Sequence, residues 1–227
     1  MFENWMKIIF AFQEDTAINE IYDVSKSMMK KSFSSFENSV HILRSPESVA
    51  KDFNVYTIDK EINELERDIR RKLFFYQNSD IPTKNHRAIL VMSLIAHDIE
   101  RIGDYSKNIF ELAGKHDTPV HFGKYNETLK IIENLIISEF QKSISYFEEF
   151  NEKIHKSIGE GLTKANEIIE TSLNKIQEDP SRAQCGQKEV ISLVLYLRFL
   201  KRTSSHLRNI STSYYNPIDR IGFSLEE

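Results

Sequence analysis

The chain has 227 residues, of which 40% are hydrophobic and 28% charged, a balance that supports one good core or two small ones packed together. Its net charge of −4 excludes the strongly basic surface that a nucleic-acid backbone demands. Cys185 is the single cysteine, so no intrachain disulfide framework exists, and a reducing, cytoplasmic setting is expected.

Seven Gly and five Pro in this length imply few turns and long elements. The chain opens on an apolar run, Ile8-Ile9-Phe10-Ala11-Phe12. A membrane span needs roughly 20 apolar residues. A signal peptide needs a basic start and a small-residue cleavage site. The run offers neither and reads as the buried stripe of a lead-in helix near Trp5, so no transmembrane segment is expected. Helical periodicity then dominates. It predicts six helices at about 14–44, 46–77, 84–113, 121–157, 161–178 and 185–215. Ser45-Pro46-Glu47 has the residues of a helix start: a cap, a proline at the first helical position and an acid in the first turn. Asn78 to Thr83 reads as a loop. Gly114 to Gly123, with Pro119, is the longest non-periodic stretch. Gly159 with Gly161, Asp179-Pro180-Ser181 and Asn216-Pro217 mark the later breaks.

Three helices precede the Gly114–Gly123 stretch and three follow it, which suggests a duplicated unit. Ser32-Phe33-Ser34-Ser35-Phe36-Glu37 aligns with Ser143-Ile144-Ser145-Tyr146-Phe147-Glu148 at an offset of 111. Arg101, Asn108 and Ile109 align with Arg202, Asn209 and Ile210 at an offset of 101. The expected fold is therefore all-α, two tandem three-helix units: residues 1–114, a linker at 115–123, and residues 124–227.

One face calls for explanation. In His97-Asp98-Ile99-Glu100-Arg101-Ile102-Gly103-Asp104, Glu100 and Asp104 lie four apart, with Asn108 a turn later and His97 about a turn earlier. Like charges at that spacing repel, and Gly103 between them costs about 1 kcal/mol relative to alanine. A lone glycine in a long helix often marks a place where another backbone comes close. Asp59 and Asn63 form a similar pair on the preceding helix, and antiparallel packing would aim both stripes at one point. Oxygen donors converging from two helices suit a hard or borderline cation. The plainer reading is a solvated acidic face paired with Arg101 and Lys60.

Asp59-Lys60-Glu61-Ile62-Asn63, followed by Glu66 and Arg70 and then by Glu100-Arg101-Ile102-Gly103-Asp104 and Asn108-Ile109, resembles the signature of the PhoU family. The resemblance implies a bundle of two homologous three-helix units, often dimeric, without an established catalytic reaction. It implies a regulator that works beside phosphate transporter components and a phosphate-sensing histidine kinase, restraining uptake and the starvation response when phosphate is plentiful. As a cytoplasmic protein, it would meet the inner face of the membrane through a partner. Some members bind multinuclear metal clusters, and by position the implied ligands here are Asp59, Asn63, Glu100 and Asp104. The metal could be Fe, Mn, Mg or Zn, in the first repeat only. In the second repeat the offset of 101 sets Lys201 at Glu100 and Ser205 at Asp104, while an offset of 106 sets Ala165 at Asp59 and Ile169 at Asn63. That set cannot hold a divalent cation, and Lys201 would supply the charge instead.

Two other readings compete. A helical adaptor would use the acids as a metal-free docking face for a basic partner. A ferritin-like di-metal protein needs two Glu-x-x-His motifs and two further glutamates, and the chain has Glu152-Lys153-Ile154-His155 without a facing second copy. Glycine-rich phosphate loops, nucleophile elbows and zincin motifs do not occur, so no enzyme is expected.

Overall fold

The computed structural model describes residues 16–44, 53–78, 86–148, 154, 157–213 and 216–223. Among the described residues there are six long helices and no strand: α1 Thr16–Arg44, α2 Val55–Gln77, α3 His86–Ala113, α4 Asn126–Glu148, α5 Glu160–Glu178 and α6 Gln187–Ser213. Short 3₁₀ turns lie at Gly123–Tyr125, Pro180–Ala183 and Ile218–Arg220. The all-helical, six-helix expectation holds. The lead-in run Ile8–Phe12, the Ser45-Pro46-Glu47 start, most of the 78–83 loop and His155 lie outside the described residues.

Two boundaries differ from expectation. Phe53 and Asn54 are not helical, and α2 starts at Val55. The reason is local: the Asn54 side chain accepts hydrogen bonds from the amides of Tyr56 at 3.0 Å and Thr57 at 3.2 Å, satisfying two donors of the first turn. Helix α4 starts at Asn126, not near 121, because the chain first makes the tight turn Gly123–Tyr125. The Asn126 amide donates to the Gly123 carbonyl, and its side-chain oxygen accepts from the amide of Phe122 and from Arg44.

Each helix buries one apolar stripe. Helix α1 packs on α2, α3 and α4; α3 also packs on α2 and α6; α4 and α5 pack on each other and on α6. Met28, Met29 and Phe36 of α1 are fully buried, and Phe33 and Phe36 meet the Phe140 ring of α4 at 5.3 and 5.4 Å. This aromatic stripe joins the front and back halves of one chain.

The break at Gly159 and Gly161 has a buried carboxylate at its centre. Gly159 has φ of +93°, and the Glu139 carboxylate accepts from the amides of Gly159 at 2.6 Å and Gly161 at 3.2 Å. Glu139 on α4 thereby supplies from outside the cap that the start of α5 lacks, and Lys142 offsets its charge at 2.8 Å.

Candidate functional site

Helices α2 and α3 run antiparallel, as a short connection requires. The Tyr56 ring at the start of α2 meets Phe110 near the end of α3 edge-on at 5.8 Å. Gly103 lies within this contact. A Cβ there would lie 3.1 Å from Cδ1 of Ile62, so the neighbour it admits is the Ile62 side chain of α2, where the sequence suggested a backbone. The α2–α3 approach that glycine permits brings the two polar stripes together.

The four residues expected to hold a metal are all half-buried, and Asp59, Glu100 and Asp104 meet partners across the α2/α3 contact. Their roles there diverge. Asp59 and Asp104 are bridged by Lys107, whose Nζ is 2.9 Å from Asp59 Oδ1 and 3.4 Å from Asp104 Oδ1. Arg101 holds the other oxygen of Asp104 at 2.8 Å. Partial burial works against the charged Lys107 ammonium, yet its bond to Asp59 and the two nearby carboxylates hold its pKa above the ordinary lysine value. Asn63 lies between Ile62 and Glu66 in the helix and enters neither pair.

Glu100 joins a different group. Carboxylate oxygens of Glu66 and Glu100 and a ring nitrogen of His97 all lie within 4.8 Å of one another. Glu66 is buried, and its Oε1 is 2.5 Å from Arg70 and 3.6 Å from Nδ1 of His97. Burial, then the charges of Asp104 and Glu66, push the Glu100 carboxyl above its ordinary value. Two carboxylates and an imidazole from two helices form a donor set that first-row transition metals accept. Glu66 and His97 were in view in the sequence, but nothing in their spacing marked them as partners. Glu66 is two turns from Asp59, and only helix packing brings it to Glu100. Lys107 gave no signal at all, since a lysine in a charged helix is ordinary.

In the back half, Lys201 ion-pairs with Glu170 of α5. The burial pattern of α2 recurs along α5 at an offset of 103, matching Ile62 with Ala165, Glu66 with Ile169, Ile69 with Ser172 and Leu73 with Ile176, all buried. That corrects the offset of 106, which would set buried Ile62 against half-buried Ile168. Leu162 then stands at Asp59 and Asn166 at Asn63. An apolar leucine and isoleucine replace Asp59 and Glu66, so this face offers fewer oxygen donors than its counterpart.

Residues 18–113 match the family model of the PhoU domain. The front half of the chain is therefore similar to a PhoU domain. The match takes in α2 and α3 and every residue of the acidic face. The chain is also similar in structure to PhoU from Pseudomonas aeruginosa, with a TM-score of 0.60 and 20% identity over 94% of this chain and 97% of that one. At that identity the likeness shows the fold, and it extends the PhoU-like architecture over both halves. No curated protein matches the chain by sequence. No helix of the described residues is long and apolar enough to cross a membrane.

Proposed function

We propose that the chain regulates inorganic phosphate uptake and the phosphate-starvation response, acting by binding partners. The observation that carries this reading is the likeness of residues 18–113 to a PhoU domain together with the intact Glu100-Arg101-Ile102-Gly103-Asp104 motif on the α2/α3 face. Its partners are phosphate transporter components and a phosphate-sensing histidine kinase, met in the cytoplasm at the inner face of the membrane, and its working form is a homodimer. The two units are residues 1–114 and 124–227. Their support is the burial pattern, which repeats from α1 to α4 at an offset of 111 and from α3 to α6 at 101. A metal on the α2/α3 face of the first unit belongs to the same reading.

Disrupting the gene in its own organism tests the proposal. Phosphate accumulation in phosphate-rich medium is expected to rise, with starvation genes switched on. Accumulation equal to that of the parent strain would overturn it.

A second reading has its own observation. Asp59 and Asp104 share the Lys107 ammonium, so part of this face is already neutralised by a cation of the chain itself. The face would then serve as a metal-free docking surface for a basic partner, with encounter steered by the remaining acids. Retention of partner binding after exhaustive chelation would favour it.

A further inference from the structure

A cleft of about 540 Å³ lies between the start of α4 and the length of α5, in the back half of the chain. That volume suits a small organic ligand. Glu139 of α4 meets Gly159 and Gly161 at the start of α5. Counted back along α4 and on along α5 from there, Lys124 comes level with Lys175, and both line the cleft. Among the described residues neither ammonium pairs with a carboxylate; Lys124 instead lies over the Tyr125 ring at 5.9 Å. Thr128 brings the first turn of α4, the positive end of that helix, to the wall beside them.

Two hydroxyls lie deeper. Tyr125 and Ser172 line the same cleft and are only 5% and 4% exposed. Among the described residues neither hydroxyl has a hydrogen-bond partner. Polar groups so buried are nearly always paired, so two orphans on one cavity wall point to an acceptor from outside the chain. Burial raises the pKa of Tyr125 against the pull of the Arg182 charge, so its hydroxyl stays protonated and donates.

We propose that this cleft binds a small phosphomonoester, its phosphoryl group between Lys124 and Lys175 and its oxygens on the hydroxyls of Tyr125 and Ser172. A phosphoryl group brings close to two negative charges and three acceptor oxygens. It answers two ammoniums and two hydroxyls better than a carboxylate does. Glu167 sets the other end of the ligand. It lines the cleft about 12 Å along α5 from Lys175, where it repels an anion and accepts from a hydroxyl or amino group. The ligand is therefore a phosphorylated molecule with such a donor at its far end, and Ile168 gives it an apolar wall between.

The test is calorimetry of the full-length protein with AMP and glucose 6-phosphate, beside adenosine and inorganic phosphate. At least one of the two phosphomonoesters is expected to bind on the order of tenfold more tightly than adenosine or inorganic phosphate. Lys124→Ala/Lys175→Ala should weaken that binding by on the order of tenfold or more. Tyr125→Phe should weaken it several-fold, yet melt like the wild type without ligand, because the hydroxyl bonds to nothing in the chain. Lys130→Ala removes an exposed lysine of α4 that pairs with Glu127, and should bind as the wild type does. Neither phosphomonoester binding, inorganic phosphate binding as tightly as either, or binding unchanged in the double lysine variant would each overturn the assignment. So would an equal loss in Lys130→Ala, which would mean attraction to positive charge without a site. The cleft lies outside residues 18–113, so this site and the control of phosphate uptake fail separately.

Discussion

Asp98 of α3 accepts a hydrogen bond from Nδ1 of His206 of α6 at 2.8 Å, and the same offset of 101 carries this pair onto Phe199 and Tyr105, whose rings meet at 6.3 Å. Helices α3 and α6 thus cross antiparallel with a local two-fold relation, polar on one side of the crossing and aromatic on the other. Asn209 adds a second hydrogen bond to Asp98 at 3.0 Å, and His206 stacks on Tyr105 at 5.8 Å. Asp98→Ala strands two donors at a buried junction. A loss of about 2–3 kcal/mol of unfolding free energy is expected, with Asp98→Asn costing less because an acceptor oxygen remains. Urea denaturation of both variants checks this, and equal losses would contradict it.

Glu133 of α4 is buried, accepts from the Tyr196 hydroxyl at 2.8 Å and lies 3.7 Å from Arg44. Burial raises its carboxyl above the ordinary value in spite of Arg44 and Tyr196. A carboxyl whose pKa is higher in the folded state contributes stability in acid. That contribution falls away as pH rises from about 4.3, the unfolded value, through the folded value. Glu133→Gln retains an acceptor for Tyr196 and removes the titration. Relative to this variant, the wild type should lose stability over that rise in pH. Denaturation curves at several pH values between acid and neutral check it, and a constant difference between the two proteins would contradict it.

Gly103→Ala sets a helix-propensity gain of about 1 kcal/mol against a methyl 3.1 Å from Ile62 Cδ1. The two should nearly cancel in the wild type. In an Ile62→Val background, which lacks that carbon, the gain should reappear. The double-mutant cycle is expected to show a favourable coupling of about 0.5–1 kcal/mol; zero coupling would mean that the contact does not govern the position.

Gly123 has φ of +54°, and a Cβ there would overlap the Ala183 carbonyl oxygen, which is backbone and cannot swing aside. The turn before α4 rests at this point on the turn after α5. Gly123→Ala should cost about 3 kcal/mol or more. Melting temperature measures it, and a variant as stable as the wild type would rule out this packing.

Much of the fold was legible because long amphipathic helices write their period into the sequence, and glycines and prolines punctuate it. Helix starts were less so. Asn54 caps α2 through its own side chain, yet an asparagine before a polar stretch is weak against the stronger-looking Ser45-Pro46-Glu47. The cap of α5 was invisible, because Glu139 reaches it from another helix. The acidic face was legible as a motif: Asp59 and Asp104 do meet across α2 and α3. Which of the four expected ligands pair with what was not, since that depends on the register of α2 against α3, set by Ile62 at Gly103. That register delivers Lys107 to Asp59 and Asp104 and leaves Glu100 to Glu66 and His97.

Complementation of the disrupted strain tests whether the α2/α3 acidic face carries phosphate regulation. Phosphate accumulation would be compared for cells carrying the wild-type gene and cells carrying Glu100→Ala/Asp104→Ala, at equal protein levels. The wild type should restore normal accumulation, and the double variant should leave it high. Full restoration by the double variant would contradict that role of the face.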